Sequence, residues 1–245
     1  MMGRAGTDFP LKEYYSQIYG TYDKVNRIFT FGRDRHWRSA AAATCMEAGP
    51  TAILDLCTGT GDFAFELARM AGEGVQVTGY DFSSEMLEEA SRKHDTLKEL
   101  EEMAPVSFVQ GDVARMPFKD EEYDAVGITF GLRNLVYRNS RADRHLSEIR
   151  RVLRKGGELV ILESSKPANG LWRFFNTLYL RFILPYLGGI ISGHLRAYRY
   201  LADSSRNYYS IREMSAILER AGFTVTRTQP LFLGSVMLVV AKRSS

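Results

Sequence analysis

The chain has 245 residues, with 32 Lys and Arg against 29 Asp and Glu, so its formal net charge is +3. Hydrophobic residues make up 45% and charged residues 25%, ordinary globular values that exclude a disordered, collagen-like or coiled-coil chain. The nearly balanced charge offers no clustered basic face for nucleic acid, so we expect no nucleic-acid partner. Its 2 Cys and 4 His follow no metal-binding spacing, so we expect no metal.

The predicted elements begin with a helical N-terminal region over residues 10–48, which is rich in aromatic residues and ends in an alanine-rich stretch. From residue 52 short apolar runs alternate with amphipathic segments, which predicts a mostly parallel sheet with helices on both faces. The predicted strands are Ala52–Cys57, Val75–Asp81, Val106–Gly111, Tyr123–Phe130 and Glu158–Glu163. The predicted helices are Asp62–Ala71, one that begins at about Glu85, and Ala142–Leu153. Gly156 and Gly157 are interpreted as the residues that end this last helix.

The last third of the chain departs from this alternation. Residues 170–221 predict helices, several of them apolar on more than one side. Thr224–Gln229 and Val236–Lys242 predict two strands separated by a loop that contains Gly234. A closing antiparallel hairpin of this kind is not part of an ordinary dinucleotide-binding fold.

The most informative segment is ILDLCTGTGDFA, from Ile53 to Ala64. Gly59 and Gly61 form the turn from a strand into a helix, where glycine permits a positive φ and a close approach of a ligand to the main chain. The N–H groups at the start of the following helix would point at that ligand. Gly-x-Gly alone also fits a purely structural turn.

Two acidic residues at the ends of the next two strands strengthen the ligand hypothesis. Asp81 lies twenty positions after Gly61, where a carboxylate can accept both hydroxyls of a ribose. Asp112, with Val113 beside it, could recognise an adenine. Because ligands of open α/β sheets bind at the carboxyl ends of the strands, the three positions indicate one nucleotide site.

Two ligands fit this pattern, NAD and S-adenosylmethionine, because Gly59-x-Gly61-x-x-Ala64 also matches the NAD fingerprint. A carboxylate before the loop (Asp55) and one after it (Asp62) would repel a pyrophosphate but tolerate a ligand with a positive centre. The residues therefore favour S-adenosylmethionine, which has a sulfonium, over NAD.

Five longer segments carry a wider resemblance: Tyr22–Arg38, Ile53–Asp62, Gly111–Leu135, Arg151–Pro167 and Ala197–Ser204. With them the chain resembles class I S-adenosylmethionine-dependent methyltransferases, and more narrowly the menaquinone/ubiquinone biosynthesis C-methyltransferases. The combination of Phe-Gly-Leu-Arg-Asn after the fourth strand with Tyr-Arg-Tyr-Leu-Ala is the most restricted part of the likeness.

The resemblance implies an α/β fold of the class I methyltransferase type, a Rossmann-like three-layer sandwich with a mostly parallel seven-stranded sheet and an antiparallel C-terminal hairpin. The single domain would comprise an N-terminal helical cap (1–50), a cofactor-binding core (51–165), a helical substrate-side insertion (166–222) and the closing hairpin (223–245). The resemblance also implies a function, the C-methylation of a polyprenylated hydroquinone. Demethylmenaquinol is the first candidate acceptor, and a ubiquinone precursor is the second.

The resemblance also implies site residues. The cofactor would be held by the loop residues Gly59, Thr60 and Gly61, by Asp81 at the ribose, by Asp112 and Val113 at the adenine, and by Thr129 at the end of the fourth strand. The catalytic candidates are Arg133, Asn134, Tyr22 and Asp23.

Arg133 and Asn134 follow the fourth strand, where acceptor and methyl group should meet. An arginine stays protonated in almost any environment, so we interpret Arg133 as stabilising a developing oxyanion rather than as a base. Tyr22 and Asp23 belong to the cap that should fold over the cofactor. Asp23 is a candidate base, and it could equally cap the helix that begins there.

Leu171–Ile191 can be interpreted as a buried helix packed on the sheet or as an apolar wall for a polyprenyl tail. The most apolar stretch of the chain, Phe182–Gly193, overlaps its end and has twelve residues interrupted by Pro185, shorter than a spanning helix of ~20. We therefore expect a cytoplasmic protein and leave open a peripheral contact with the inner membrane. The sequence leaves open whether the chain forms a homo-oligomer.

Two other functions stay open at this point. A methyltransferase of the same fold could act on another small hydrophobic or aromatic acceptor, because sequence does not reveal pocket shape. A non-catalytic adenosyl-nucleotide-binding protein is the third hypothesis, and it would be favoured by a degraded glycine loop or a missing Asp81, neither of which is found.

Overall fold

The computed structural model describes residue 20 and residues 23–244 of the chain. The candidate catalytic residue Tyr22 lies outside these described residues, as does almost all of the predicted helical region that precedes residue 23.

Within the described residues, seven strands form one sheet flanked by helices. The strands are β1 (Ala52–Leu56), β2 (Gln76–Asp81), β3 (Val106–Gln110), β4 (Tyr123–Thr129), β5 (Leu153–Ser164), β6 (Phe223–Leu231) and β7 (Val236–Arg243). The helical segments are α1 (residues 23–29), α2 (Arg33–Met46), α3 (Asp62–Met70), α4 (Ser84–Leu97), α5 (Leu132–Val136), α6 (Ala142–Val152), α7 (Gly170–Leu178), α8 (Leu184–Ser192), α9 (Leu195–Asn207) and α10 (Ile211–Arg220).

The strand order is β3-β2-β1-β4-β5-β7-β6. Strands β1 to β5 pair in parallel, and β7 lies antiparallel to both β5 and β6. The predicted parallel sheet with a closing antiparallel hairpin is therefore confirmed. The order reverses direction between β1 and β4, which is where open α/β sheets bind their ligands.

Two hydrophobic clusters cover the two faces of the sheet, because successive side chains of a strand point to opposite faces. Leu54 of β1 packs with residues of α6 and α10, whereas its neighbour Ile53 packs with residues of α2 and α3. The sheet is thus the middle of three layers.

The N-terminal region is not one continuous helix, as the sequence had suggested. Helix α1 ends in a turn over Thr30–Gly32, and Phe31 (φ +53°) and Gly32 (φ +71°) both adopt left-handed backbone conformations. A helix cannot continue through two such residues, so α2 begins afresh at Arg33.

The predicted helix Ala142–Leu153 is confirmed to within one residue, but the prediction that Gly156 and Gly157 end it is wrong, because both glycines lie in β5. Helix α6 ends at Val152, and β5 begins at the next residue. Leu153 pairs with Tyr123 and Glu158 with Ala125, so the residues between bulge out of the ladder. A Cβ at Gly157 would lie 2.8 Å from the Asp124 carbonyl oxygen, which explains glycine at this position.

The first part of the helical insertion forms a longer apolar helical segment than the twelve-residue run Phe182–Gly193, and it is more exposed than a buried helix would be. Helices α7 and α8 are joined through the π-helical turn Tyr179–Ile183 into a segment of 23 residues, Gly170–Ser192, which is long and apolar enough to cross a membrane. Helix α7 contains no buried residue, so this segment is not a buried helix packed on the sheet. Its inner side packs on Val25 of α1 and Tyr198 of α9.

Candidate active site

A cleft of about 880 Å³ opens at the carboxyl ends of the parallel strands. It lies at the edge of the sheet where the sequence predicted a nucleotide-binding site. Six of the seven predicted cofactor residues line it: Gly59, Thr60, Asp81, Asp112, Val113 and Thr129. The seventh, Gly61, forms the end of the loop beneath it.

The glycine loop connects β1 to α3 through three residues with positive φ, Cys57 (+59°), Gly59 (+55°) and Gly61 (+85°). A Cβ added at Gly59 would meet no atom within 4 Å, which leaves space above the backbone for a ligand. A Cβ at Gly61 would lie 2.7 Å from the Phe65 ring, so this glycine is required by packing as well. The two glycines therefore serve different purposes.

Asp81 at the end of β2 is 6% exposed and held rigidly. Its Oδ2 accepts a hydrogen bond from the Gly59 N–H and its Oδ1 one from the Ser83 N–H, both at 3.0 Å. Burial raises the pKa of this carboxyl, although the backbone hydrogen bonds oppose the shift. A carboxylate has about four acceptor positions, so Asp81 keeps acceptor capacity beyond its backbone hydrogen bonds.

Asp55 lies beneath the glycine loop and is only 1% exposed. The Thr58 hydroxyl donates to its Oδ2 at 2.5 Å, whereas its Oδ1 has no hydrogen-bond partner among the described residues. Burial raises the pKa of this carboxyl to about 7, against the Thr58 hydrogen bond and the charge of Arg38. A buried, incompletely satisfied carboxyl favours a ligand with positive charge.

Asp112 lies at the rim of the cleft after β3. Its Oδ1 accepts from the Ala114 N–H at 2.9 Å, and its Oδ2 pairs with Arg141 at 2.6 Å. Val113 is 6% exposed and forms an apolar floor beside it. Sequence reasoning missed Arg141, which also lines the cleft, because it reaches the site from the start of α6.

The cap is tied to the loop through Asp23. Its Oδ1 accepts from the Thr60 hydroxyl at 2.8 Å and its Oδ2 pairs with Lys93 of α4 at 3.0 Å. Lys93 also pairs with Asp62, and its charge and that of Arg38 hold the pKa of Asp62 below its usual value despite burial. Both oxygens of Asp23 are thus engaged, and its role as a base stays a prediction.

The ion pair between Lys93 and Asp62 weakens the expectation that Asp62 would repel a pyrophosphate. Because Lys93 balances the charge of Asp62, that carboxylate alone does not exclude a pyrophosphate. Nothing in the local sequence signals this pair, since the two residues are 31 positions apart.

A second cavity of about 370 Å³ lies beside the cleft, under α1, α2 and the helical insertion. Most of its wall is apolar, formed by Phe29, Trp37, Phe130, Trp172, Phe175, Tyr179, Leu180, Leu184, Leu201, Phe232 and Val236. Its polar side includes Ser165, which is 3% exposed and whose hydroxyl has no hydrogen-bond partner among the described residues.

The structure separates Arg133 from Asn134. Arg133 lines the second cavity, and its Nη1 donates to Ser205 at 2.9 Å and pairs with the buried Glu163 at 3.3 Å. Asn134 lines the cleft instead. The guanidinium is therefore already held by protein groups, and its predicted role toward a ring oxygen stays a prediction.

The two cavities meet at Arg38 and Phe130, the residues that line both among those described. The Arg38 guanidinium lies 5.5 Å from the centre of the Phe130 ring. Sequence reasoning had not singled out Arg38, which appeared only as the last residue of a resembling segment.

Comparison with known proteins identifies the family of this chain. A sequence model of the ubiE/COQ5 methyltransferase family matches residues 4–242. A demethylmenaquinone methyltransferase of Thermus thermophilus is 39% identical over 94% of this chain and 99% of that protein. A ubiquinone/menaquinone biosynthesis C-methyltransferase of Geotalea daltonii is 36% identical over 91% of this chain and 92% of that protein.

Solved structures agree on the fold. A SAM-dependent methyltransferase from Aquifex aeolicus superposes with a TM-score of 0.57 at 22% identity, over 79% of this chain and 82% of that one. The [4+2]-cyclase SpnF superposes with a TM-score of 0.66 at 16% identity, over 99% and 98% of the two chains. The second neighbour is named for a different reaction, so the fold alone does not determine the chemistry.

Proposed function

Because the chain belongs to the ubiE/COQ5 methyltransferase family, we propose that it methylates a ring carbon of a polyprenylated hydroquinone, converting demethylmenaquinol to menaquinol. It is a C-methyltransferase of quinone biosynthesis that uses S-adenosyl-L-methionine. When bound, S-adenosyl-L-methionine supplies an electrophilic methyl group on a sulfonium.

The residues of the cleft fit this donor. Gly59 leaves room above its backbone for the donor. In our proposal Asp81 accepts the ribose hydroxyls, Asp112 and Val113 flank the adenine, and Thr60 and Thr129 contact the rest of the donor. Each of these side chains lines the one cleft.

The observation that carries the acceptor assignment is the second cavity and its junction with the cleft. An apolar, aromatic wall suits a quinol ring with the start of a prenyl tail, and apolar lining with a few polar groups is typical of small-molecule sites. The Ser165 hydroxyl, which has no hydrogen-bond partner among the described residues, offers a hydrogen bond to a ring oxygen. Only Arg38 and Phe130, among the described residues, line both cavities, so in our proposal the ring carbon and the methyl group meet beside these two side chains.

Two alternatives remain to be tested: a methyltransferase that acts on another small hydrophobic or aromatic acceptor, and a non-catalytic protein that only binds an adenosyl nucleotide. Identifying the methylated acceptor distinguishes all three. The test is incubation of the protein with a methyl-labelled donor and a panel of demethylated naphthoquinols, benzoquinols and unprenylated phenols, followed by mass spectrometry. We expect label on a ring carbon of the naphthoquinol. Label on phenolic oxygens, or on no quinol, would contradict the proposal, and label on the benzoquinol alone would assign the ubiquinone precursor.

We further propose that the acceptor enters from a membrane on which the protein lies peripherally. The outer side of Gly170–Ser192 exposes large apolar side chains, Leu171 by 70% and Ile190 by 81%, and Phe31 on the adjoining turn is 73% exposed. Contiguous exposed apolar surface of this kind is typical of an interaction site. Two arginines lie against aromatic rings of this surface, Arg181 on Phe182 and Arg199 on Tyr186, where they could meet lipid headgroups.

The same helices form the cavity wall, which links the surface to the acceptor site. Phe175 lines the cavity and is 52% exposed, so the cavity reaches the apolar surface at this side chain. A prenyl tail could stay in the bilayer while the ring enters the cavity. Because the inner side of the helices packs on α1 and α9, we place the segment on the membrane rather than across it.

A further inference from the structure

Asp34 and Arg38 form a buried pair on α2, at the wall between the two cavities. Arg38 Nη1 lies 2.7 Å from Asp34 Oδ2, and the two side chains are 8% and 5% exposed. The Thr30 hydroxyl donates to Asp34 Oδ1 at 2.8 Å. Asp34 lines the second cavity, and Arg38 lines both cavities.

Asp34 is the one carboxylate among the described residues that line the second cavity, and the other charged residues there are Arg38 and Arg133. Asp23 and Asp62 line the donor cleft but not the second cavity. A protonated guanidinium cannot accept a proton, which leaves Asp34 as the group placed to do so.

Carbon methylation of a quinol requires such a group. A phenolic carbon becomes a strong nucleophile when the neighbouring hydroxyl loses its proton, yet phenols titrate near ~10. Since that hydroxyl is bonded to the atom next to the reacting carbon, its negative charge develops where the two cavities meet. A cation fixed at that place stabilises the charge without reorganisation.

We infer that Asp34 accepts the proton of the acceptor's ring hydroxyl and that Arg38 stabilises the oxyanion this leaves. The inference rests on the proposed function. In water the transfer from a phenol to a carboxylate is uphill by about six pKa units. Here the negative charge passes from Asp34 to an oxygen within reach of the same guanidinium, so Arg38 exchanges one anionic partner for another instead of losing it.

Proton transfer comes first: the hydroxyl O–H bond breaks and an O–H bond forms on Asp34. The ring carbon then forms a C–C bond to the methyl group while the S–CH₃ bond breaks, its electron pair staying on sulfur to give S-adenosylhomocysteine. The proton on the methylated carbon leaves to water, its electron pair restores the aromatic ring, and the ring oxygen takes back the proton from Asp34. One proton is released for each methyl group transferred.

The first test compares Asp34→Asn with Asp95→Asn, a control that alters an exposed carboxylate paired with Lys98 on α4. We expect Asp34→Asn to lower kcat about 100-fold or more near neutral pH. Donor affinity measured by calorimetry should stay within about twofold. The loss of kcat in Asp34→Asn should become about tenfold smaller per pH unit as the pH approaches ~10, where the quinol hydroxyl ionises without a base. A halogenated quinol, whose hydroxyl is more acidic, should restore the rate of the variant. A deficit independent of both pH and acceptor acidity, or no deficit, overturns the inference.

The second test needs no turnover and uses the unaltered protein. A redox-stable prenylated naphthol is titrated by its phenolate absorbance in the complex with S-adenosylhomocysteine. We expect the hydroxyl to ionise at least about one pH unit below its value in free solution, and the shift to be lost in Arg38→Gln. An unshifted titration in the unaltered protein overturns the inference. A protein that shifts the naphthol but methylates no quinol would contradict the proposed function and leave the role of the pair supported.

Discussion

Lys93 on α4 reaches across the glycine loop to Asp23 on the N-terminal helix, with 3.0 Å between Nζ and Oδ2. The same ammonium also pairs with Asp62 at the start of α3 and lies 3.3 Å from the Thr60 hydroxyl. One side chain thus joins the cap, the loop and α4 at the entrance to the cofactor cleft.

This junction predicts that Lys93→Met loosens the cap. The lysine is 22% exposed, so we expect the loss to be worth about 1 kcal/mol, or roughly fivefold faster amide hydrogen exchange in residues 23–29. Lys98→Met, which removes an exposed lysine paired with Asp95, is the matched control. Equal exchange in the two variants would mean that the cap is held by its apolar contacts alone.

The ribose assignment predicts that Asp81→Asn weakens donor binding. The amide presents an N–H₂ group where the carboxylate now accepts from the Gly59 or Ser83 N–H, so one acceptor of the site is lost. We expect the Kd of S-adenosylmethionine to rise about tenfold or more, an effect of ~1.4 kcal/mol. Calorimetry measures it, with Asp203→Asn on α9 as an exposed control.

A second ligand makes this test specific to the ribose. Removing the 2′-hydroxyl from S-adenosylhomocysteine should weaken binding to the unaltered protein but have little further effect on Asp81→Asn. If the variant still discriminates between the two ligands as strongly, Asp81 does not bind that hydroxyl.

The placement of several residues that line the cleft could be predicted from local sequence, whereas the lining of the second cavity could not. Asp81 and Asp112 were predictable because each lies at the carboxyl end of an apolar strand, and parallel strands bring such positions to one edge. Arg133 and Asn134 are neighbours in the sequence, but consecutive residues of a helix point about 100° apart, so they line different cavities.

The junction of the two cavities could not be predicted for a different reason. Arg38 reaches it from α2, and this placement depends on how the cap helices pack over the sheet, which no local pattern specifies. The break at Gly32 that turns α2 was likewise not expected from the sequence.

The raised pKa of Asp55 predicts a pH effect on the unliganded protein. Because burial holds this pKa at about 7, far above the ordinary value for an aspartate, the folded protein binds more protons than the unfolded chain between about pH 4 and pH 7. The contribution of Asp55 to the free energy of unfolding must then fall as the pH rises through that window and stay constant above it.

The measurement is a series of denaturant unfolding curves at several pH values for the unaltered protein and Asp55→Asn, which cannot titrate. The free energy of unfolding of the unaltered protein should decrease, relative to that of Asp55→Asn, as the pH rises from 4 to 7. A difference that does not vary with pH would show that Asp55 keeps an ordinary pKa.

The exposed side of Gly170–Ser192 predicts binding to lipid. Phe182 and Ile190 are 54% and 81% exposed, and insertion of such side chains into a bilayer contributes about 25 cal/mol for each Å² of apolar surface removed from water. We expect the unaltered protein to sediment with vesicles that contain phosphatidylglycerol, and Phe182→Asp combined with Ile190→Asp to abolish this. Leu100→Asp is the matched control, because Leu100 is 75% exposed but follows α4, outside the insertion.

Activity on two acceptors then separates the surface from the catalytic site. The double variant should methylate a short-chain quinol in detergent-free solution at the rate of the unaltered protein, because neither Phe182 nor Ile190 lines the acceptor cavity. Its rate on a long-chain quinol embedded in vesicles should fall in proportion to the lost binding. If the unaltered protein stays in the supernatant while the vesicles sediment, the acceptor reaches the cavity by another route and the apolar face has a different partner.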